Sequence, residues 1–150
     1  MLEFFSPKVD RLRRDRDVLG LARALEAKSV RTRRAAANAL VAVPDRQALE
    51  ALLQALGDPD ELVRANTALA LGEIEVEDGE TGTRVSGALT GLLDDSSELV
   101  RALGTAALGR YRNDALVSRR LTTLRDDESL IVRRTANVVL SDSGDATEVD

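Results

Sequence analysis

The sequence predicts an all-α protein, an α-α superhelical solenoid of about four helical hairpins with a further helix at its N-terminus. The first observation behind this prediction is an internal repeat. One motif centred on an arginine occurs four times, and successive copies are 31, 37 and 32 residues apart: Arg33, Arg64, Arg101 and Arg133. Self-similarity at this period is typical of stacked helical hairpins, none of which can bury its apolar face alone.

The second observation is the spacing of apolar residues around each arginine. In every copy a leucine lies seven residues after the arginine and another lies twelve residues before it, and valine directly precedes the arginine in three copies. This is the periodicity of a helix with one buried side. The third observation is an aspartate six residues before the arginine in three copies: Asp58, Asp95 and Asp127. Each copy is therefore predicted to be two helices joined by an acidic turn.

The helices can be predicted in chain order from their caps. Ser6 and Pro7 are typical of a helix start, so a short basic helix is expected from there to about residue 16. Asp17 caps the first hairpin, whose second helix spans about residues 30–43 and ends before Pro44, and Asp45 caps the next helix. The remaining predicted helices span approximately residues 46–56, 61–74, 85–93, 98–111, 115–124 and 129–140.

The predicted organisation has three parts. Residues 1–16 form a basic capping helix, residues 17–140 form the solenoid, and residues 141–150 (SDSGDATEVD) form an acidic disordered tail. Residues 75–84 (EVEDGETGTR) break the pattern, and we expect an exposed acidic loop there that accounts for the longer spacing. The four predicted hairpins span residues 17–44, 45–74, 85–112 and 113–140.

The composition narrows the possible chemistry. The 150 residues are 43% hydrophobic but only 2% aromatic, so the core is predicted to consist of leucine, valine and alanine. The chain has no cysteine and no histidine, which excludes disulfides, thiolate chemistry, zinc sites with their usual ligands and histidine-based triads. No apolar stretch is long enough to span a bilayer, and no secretory signal is visible, so we expect a soluble cytoplasmic protein without a cofactor.

The charges are unevenly distributed. There are 26 acidic and 21 basic residues, and only Lys8 and Lys28 are lysines. An acid-rich, lysine-poor surface resembles that of proteins from salt-in halophiles, although a GC-rich genome would also favour arginine and alanine. Residues 1–34 carry a net charge of +5 and the remainder −10, so a basic head on an acidic body is expected to pair head to tail or to bind an acidic partner.

Two segments carry a family resemblance. GDPDELVRANTALALGEI (residues 57–74) and its echo DDSSELVRALGTAALGRY (residues 94–111) resemble HEAT repeats, most of all the short HEAT-like kind of phycobilisome bilin lyases. The likeness covers about residues 18–140, and FFSPKVDRLRRDRDVLGLARAL (residues 4–25) resembles the opening of archaeal HEAT-repeat proteins.

The outer repeats depart from the family pattern. Thr32 stands where valine belongs, Ala27 where the turn aspartate belongs, and Arg125 where the other repeats have leucine. Atypical outer repeats are typical of end caps, so we expect the solenoid to begin and end within this chain.

The resemblance also implies a role for the repeated arginines. Each is expected to bond a turn aspartate of its own or an adjacent repeat, rather than to form a ladder of anion sites. The paired acids, among them Asp58 with Asp60, precede helices and are expected to cap them.

An apolar stripe is the main functional hypothesis. Positions two before and five after each arginine lie together on the side opposite the buried one, and three repeats carry apolar residues there: Leu62 with Leu69, Leu99 with Ala106, and Ile131 with Val138. Stacking would align them into a surface that docks a partner. The alternative is that Leu62, Leu99 and Ile131 tuck under the preceding turn.

The sequence thus favours a non-catalytic protein-interaction module or assembly scaffold with a protein partner and no catalytic, cofactor or metal residues. The candidate partner-binding residues are Leu62, Leu69, Leu99, Leu103, Ile131 and Val138, with Arg34 and Arg134 as charges at the rim. The resemblance also implies two alternatives, a lyase-like or cofactor-attaching role and nucleic-acid binding. Nucleic-acid binding needs a basic groove and aromatic contacts, and Tyr111 is the only Tyr or Trp in this acidic chain. Neither a membrane nor a nucleic acid is expected as a partner.

Overall fold

The structure, a computed structural model, describes residues 6–141. Those residues contain helices, turns and short loops but no strand, which confirms the predicted all-α superhelix. The α-helices are α1 (Pro7–Arg14), α2 (Val18–Ala24), α3 (Val30–Ala42), α4 (Leu49–Ala55), α5 (Glu61–Glu73), α6 (Gly79–Gly91), α7 (Glu98–Ala107), α8 (Ala115–Thr123) and α9 (Leu130–Ser141). Short 3-10 turns flank several of them: Arg46–Ala48, Leu92–Asp94, Leu108–Tyr111 and Leu124–Asp126.

The helices form two layers. The first helices of the hairpins (α2, α4, α6 and α8) make one layer, and the second helices (α3, α5, α7 and α9) lie side by side in the other. The second helices contact one another far more extensively than the first helices do. The stack therefore curves with the second helices on its inner side, and α1 covers its N-terminal end by packing on α2 and α3.

The core is built from the repeated leucines. The leucine twelve residues before each arginine is at most 1% exposed, and so is the leucine seven residues after it in the first three repeats: Leu21, Leu52, Leu89, Leu121, Leu40, Leu71 and Leu108. The valine before the arginine is fully buried in the three repeats that have it. Each position contributes the same side chain to the interior in each hairpin, so the repeat in the sequence becomes a continuous core.

Most predicted caps are present. The Asp17 carboxylate accepts a hydrogen bond from the Gly20 amide, and Asp60 accepts bonds from the amides of Leu62 and Val63. Ser6 is the N-cap of α1 by position, with Pro7 in the first turn, but its side chain makes no capping bond. α1 ends at Arg14, and Arg16 follows with a φ of 53° before α2 begins.

The prediction for the third hairpin was wrong at its start. Helix α6 begins at Gly79, six residues before the predicted position, so the connection from α5 is shorter than the expected loop of residues 75–84. Asp78 caps the helix by accepting the Thr81 amide at 2.7 Å, and Thr81 and Val85 bury one side of it. Bonds from Thr81, and then from Arg46, lower the pKa of Asp78 to about 2. The glycines Gly79 and Gly82 and the acidic residues around them are typical of a loop, which is why the sequence did not predict this first turn of the helix.

One further prediction falls outside the described residues. It is the disorder of the tail, of which only Ser141 is described, as the last residue of α9.

The repeated arginines connect neighbouring hairpins. The Nε and Nη2 atoms of Arg64 donate to the two carboxylate oxygens of Asp95 at 2.8 and 2.9 Å, and those of Arg101 donate to Asp127 at 2.9 and 3.0 Å. Arg33 forms the same two bonds to Asp58, at 2.7 and 3.2 Å. The predicted arginine–aspartate bonds are confirmed, and each one joins an arginine to the turn of the next repeat.

Each arginine also holds the turn of its own repeat. Its Nη1 atom donates to the backbone carbonyl six residues earlier at 2.7–3.0 Å, in all four repeats: Ala27, Asp58, Asp95 and Asp127. The turn aspartates in addition accept the backbone amide two residues later, as Asp95 does from Ser97. One guanidinium group therefore fixes two turns at once, and the links form a continuous chain along one edge of the stack.

The links lie mostly away from solvent. The side chains of Arg101 and Asp127 are each 9% exposed. The hydrogen bonds from Arg101 hold the pKa of Asp127 below its usual value although burial opposes them. Burial would raise the pKa of Asp95, but the bonds from Arg64 and the Ser97 amide outweigh it and leave that pKa low. The aspartates are thus bound in their charged form.

Replacing Asp95 with alanine should destabilise the protein by about 3 kcal/mol, because the Arg64 guanidinium would lose its carboxylate in a largely buried site. Asp94 is a matched control, since this neighbouring aspartate is 77% exposed and pairs with Arg120 at the surface. Asp94→Ala should cost at most about 1 kcal/mol. Urea unfolding of both variants measures the difference, and similar losses would contradict a structural role for the link.

Stability should fall on acidification. Asp60, Asp95 and Asp127 have lowered pKa values in the folded chain, so their contribution is complete above the unfolded value of about 3.9 and is lost as the pH falls through the folded pKa values. Urea unfolding between neutral pH and pH about 2 should show this loss. In the Asp95→Asn variant the free energy of unfolding should fall less steeply as the pH decreases. An equally steep fall in the variant and the wild type would show that Asp95 does not contribute to the acid dependence.

Two glycines should respond oppositely to alanine. A Cβ at Gly72 would lie 3.0 Å from the Cα and Cβ of Ala107, where α5 and α7 meet, whereas a Cβ at Gly87 in α6 would meet nothing within 4 Å. Gly72→Ala should therefore destabilise the protein by about 1–2 kcal/mol through overpacking. Gly87→Ala should stabilise it by about 0.5–1 kcal/mol through helix propensity. Thermal unfolding of the two variants tests the sign of each effect.

Candidate interaction surface

The predicted stripe lies on the inner layer, and its exposure changes along the stack. Leu62 and Leu69 on α5 are half-buried. Leu99 and Leu103 on α7 are half-buried as well and pack against the core, as the alternative of tucked side chains predicts for Leu99. On α9 the corresponding side chains are open: Ile131 is 52% exposed and Val138 is 59% exposed. The stripe is therefore a partly filled surface in the middle repeats and an open one at α9.

Leu130 belongs to the same open area and was not predicted. It is 53% exposed and adjoins Ile131. Its position is three residues before the repeated arginine, where α5 and α7 carry the exposed glutamates Glu61 and Glu98. Comparing this position across repeats would have identified Leu130 from the sequence, because its apolar side chain stands at a site that is charged in two other copies.

An open depression of about 390 Å³ lies beside these residues, between the starts of α7 and α9. It is lined by Glu98, Ser129, Leu130, Ile131 and Arg134. The Ser129 side chain is 7% exposed, and its Oγ atom has no hydrogen-bond partner among residues 6–141. The depression thus combines apolar side chains with one cation, one carboxylate and an unpaired buried hydroxyl.

The two predicted rim charges differ from each other. The Arg34 guanidinium donates to both carboxylate oxygens of Asp60, at 3.0 and 2.6 Å, so it is engaged within the stack and is not available at a rim as expected. The bonds from Arg34 lower the pKa of Asp60, which also caps α5. Arg134 occupies the equivalent position in the fourth repeat and is exposed. It lines the depression beside Leu130 and Ile131.

The polar groups of this face are suited to noncovalent binding. Asn66 on α5 uses its side-chain amide to donate to the Leu62 carbonyl, which leaves its oxygen as an acceptor on the inner layer.

Across residues 6–141 no group of three or more acidic side chains is arranged to hold a metal ion. Burial raises the pKa of Tyr111, whose hydroxyl lies elsewhere in the stack, beside α6. In the part of the chain that the structure describes, none of the helices has the length and apolar character to cross a membrane.

Solved structures with the same fold include designed repeat proteins. One is a computationally designed armadillo repeat protein for modular peptide recognition, with 21% identity, a TM-score of 0.61, and coverage of 89% of this chain and 67% of that one. Another is a designed armadillo repeat protein in complex with the peptide (KR)4, with 19% identity, a TM-score of 0.62, and coverage of 89% and 66%. An engineered structural-genomics target gives 19% identity, a TM-score of 0.62, and coverage of 89% and 64%.

This chain therefore spans about two thirds of the length of those proteins. At such identities the likeness concerns the fold alone. A search of curated proteins gives no significant match. The family model for HEAT repeats matches residues 18–102, more than half of the chain and the region that contains the first two arginine links in full. Together with the two-layered stack of hairpins, this match shows that the chain belongs to the HEAT-repeat family.

Proposed function

We propose that this protein is a non-catalytic interaction scaffold that docks a partner polypeptide on the face formed by the second helices of its repeats. The observation that carries the proposal is the open apolar surface of α9, where Ile131 and Val138 project from one side of the helix. They are seven residues apart, so their side chains are separated by about 10 Å along the helix. Together with Leu130 they form a contiguous exposed apolar patch, which is typical of a surface that binds a partner.

The surface extends beyond α9. Leu99 and Leu103 on α7 and Leu62 and Leu69 on α5 continue it across the inner layer with smaller exposed areas. A partner segment that crosses the stack would thus find its deepest apolar contact at α9 and shallower contacts at the two preceding repeats. Arg134 supplies a cation beside the depression, and Glu98 supplies an anion. These groups would orient the segment, while apolar burial supplies most of the affinity.

The structural comparisons support a polypeptide as the partner. Two of the similar structures are designed armadillo repeat proteins, one made for modular peptide recognition and one bound to the peptide (KR)4. Their fold matches this chain over 89% of its length, so proteins of the same layered architecture bind peptides. A cytoplasmic location, a source in a halophilic archaeon and a specific relation to bilin lyases stay predictions from the sequence.

A peptide-display selection on the full chain tests this proposal. Ile131→Glu combined with Val138→Glu should weaken the selected peptides at least about tenfold, because two charges would enter the surface that the peptide must cover. Both side chains are already more than half exposed, so the variant should keep its fold. Binding constants from fluorescence anisotropy, together with urea unfolding, measure the two effects separately.

Leu116 provides the matched control. It is 72% exposed on α8, in the layer of first helices, so Leu116→Glu introduces the same charge on the opposite side of the stack. Selected peptides should bind this variant like the wild type. Peptides that respond to Leu116→Glu but not to the α9 variant would move the docking face to the outer layer and contradict the proposal.

A further inference from the structure

The first repeat shows what a pair of neighbouring arginines in this register binds. Arg33 donates hydrogen bonds to both carboxylate oxygens of Asp58, and Arg34 donates to both carboxylate oxygens of Asp60. The two aspartates belong to one short turn, in which the Asp60 amide donates to the Asp58 carboxylate at 2.9 Å before α5 begins. Two guanidinium groups on adjacent residues therefore bind an Asp-x-Asp turn at the start of a helix.

The same pair recurs once, as Arg133 and Arg134 on α9. The second and third repeats have Ala65 and Ala102 at the position of the second arginine, so only the first and last repeats carry both cations. In the last repeat no turn aspartate of a following hairpin is present among residues 6–141. Arg133 and Arg134 thus repeat the arrangement that binds an Asp-x-Asp turn in the first repeat, but residues 6–141 contain no such turn next to them.

Arg133 is held in the orientation needed for binding. Its Nη1 atom donates to the Asp127 and Glu128 carbonyls at 2.7 and 2.9 Å, as the other repeated arginines do in their own turns. In those arginines the opposite edge of the guanidinium, Nε and Nη2, carries the carboxylate. For Arg133 that edge has no acceptor within residues 6–141. The rotamer is thus fixed by the turn, which reduces the entropy lost when an anion binds.

Two further observations distinguish this place from an ordinary charged surface. Arg134 is exposed and lines the depression that also contains Ser129, whose buried hydroxyl lacks a partner in the described chain. Asn137, one turn beyond Arg133, is exposed where the first three repeats bury Ala37, Ala68 and Thr105. Asn137 therefore places an exposed polar side chain near the two arginines, which suits an acidic segment.

A second copy of this chain does not fit as the ligand. The N-terminal end of the stack is covered by α1, which carries Lys8, Arg11, Arg13 and Arg14 against one acid, Asp10. The net positive charge of this helix would disfavour a head-to-tail pair in which α1 meets Arg133 and Arg134. The first repeat in addition has Ala27 in place of the turn aspartate. Charge complementarity thus points to a different polypeptide.

From these observations we infer that Arg133 and Arg134 form a receptor for an Asp-x-Asp turn that begins a helix of a partner protein. The receptor gives the partner of the proposed scaffold a chemical signature, and it rests on that proposal only in taking a polypeptide as the ligand. The partner's first aspartate pairs with Arg133 as Asp58 pairs with Arg33. Its second aspartate pairs with Arg134 as Asp60 pairs with Arg34.

The probe is a fluorescein-labelled peptide of residues 56–74 (LGDPDELVRANTALALGEI), which contains the Asp58-Pro59-Asp60 turn and α5. Fluorescence anisotropy with the full chain should show saturable binding. The variant Arg133→Met with Arg134→Met should bind the peptide at least about tenfold more weakly, because charge-assisted bidentate bonds are lost. Arg125→Met removes another exposed arginine close to the start of α9 and should leave binding unchanged.

Changing the peptide tests the same chemistry without altering the protein. A peptide with Asp58→Asn and Asp60→Asn should lose affinity for the wild type by a similar factor. Its binding to the double arginine variant should show no further loss, since the two changes remove the same contacts. This arm stays decisive if the protein variant proves less stable.

Three results would overturn the inference. They are equal binding of the peptide by wild type and the double arginine variant, equal binding of the two peptides, and absence of binding unless residues 142–150 are deleted. The last result would make the chain's own acidic segment the ligand. Failure of the scaffold proposal is recognised separately, because that proposal depends on Ile131 and Val138, which all of these variants retain.

Discussion

The bond between an arginine of one repeat and the turn aspartate of the next is the interaction on which the architecture depends. Apolar burial is non-directional, so leucine and alanine surfaces alone specify the register between neighbouring hairpins only weakly. The guanidinium group removes that freedom. It binds its own turn through Nη1 and the following turn through Nε and Nη2, as Arg64 and Arg101 do. Register is thus set at the edge of the stack, and the core needs only to fill the space between.

Much of this architecture is legible in the sequence for the same reason. The arginines and turn aspartates recur at matching positions of the repeats, which predicts a bond between them but leaves open whether the aspartate belongs to the same or the adjacent repeat. The structure pairs Arg101 with Asp127 of the following repeat. The start of α6 was harder to predict. Gly79 and Gly82 are poor helix formers, and the helix exists there because Asp78 caps it and Thr81 and Val85 find a buried surface. Tertiary packing overrode local propensity.

The candidate surface could be predicted only in part. Helical periodicity places Leu62, Leu99 and Ile131 on the same side of their helices. The periodicity does not predict how much of each side chain a neighbouring helix covers. This difference in coverage is why Leu99 is half-buried whereas Ile131 is exposed. The same limit applies to Arg34, whose equivalent in the last repeat is exposed. Whether a charge is engaged depends on the residue that the next repeat brings to it, and that residue lies 26 positions away.

The missing aspartate at the first turn has a consequence for assembly. Each arginine link points from one repeat toward the C-terminal end, so the stack has a donor end and an acceptor end. An open stack whose two ends matched would add copies by a heterologous contact that never closes, and it would grow into fibres. Ala27 leaves the acceptor end without its carboxylate, and the basic helix α1 lies over that end. A second copy would thus lack, at that end, the carboxylate that each arginine link requires.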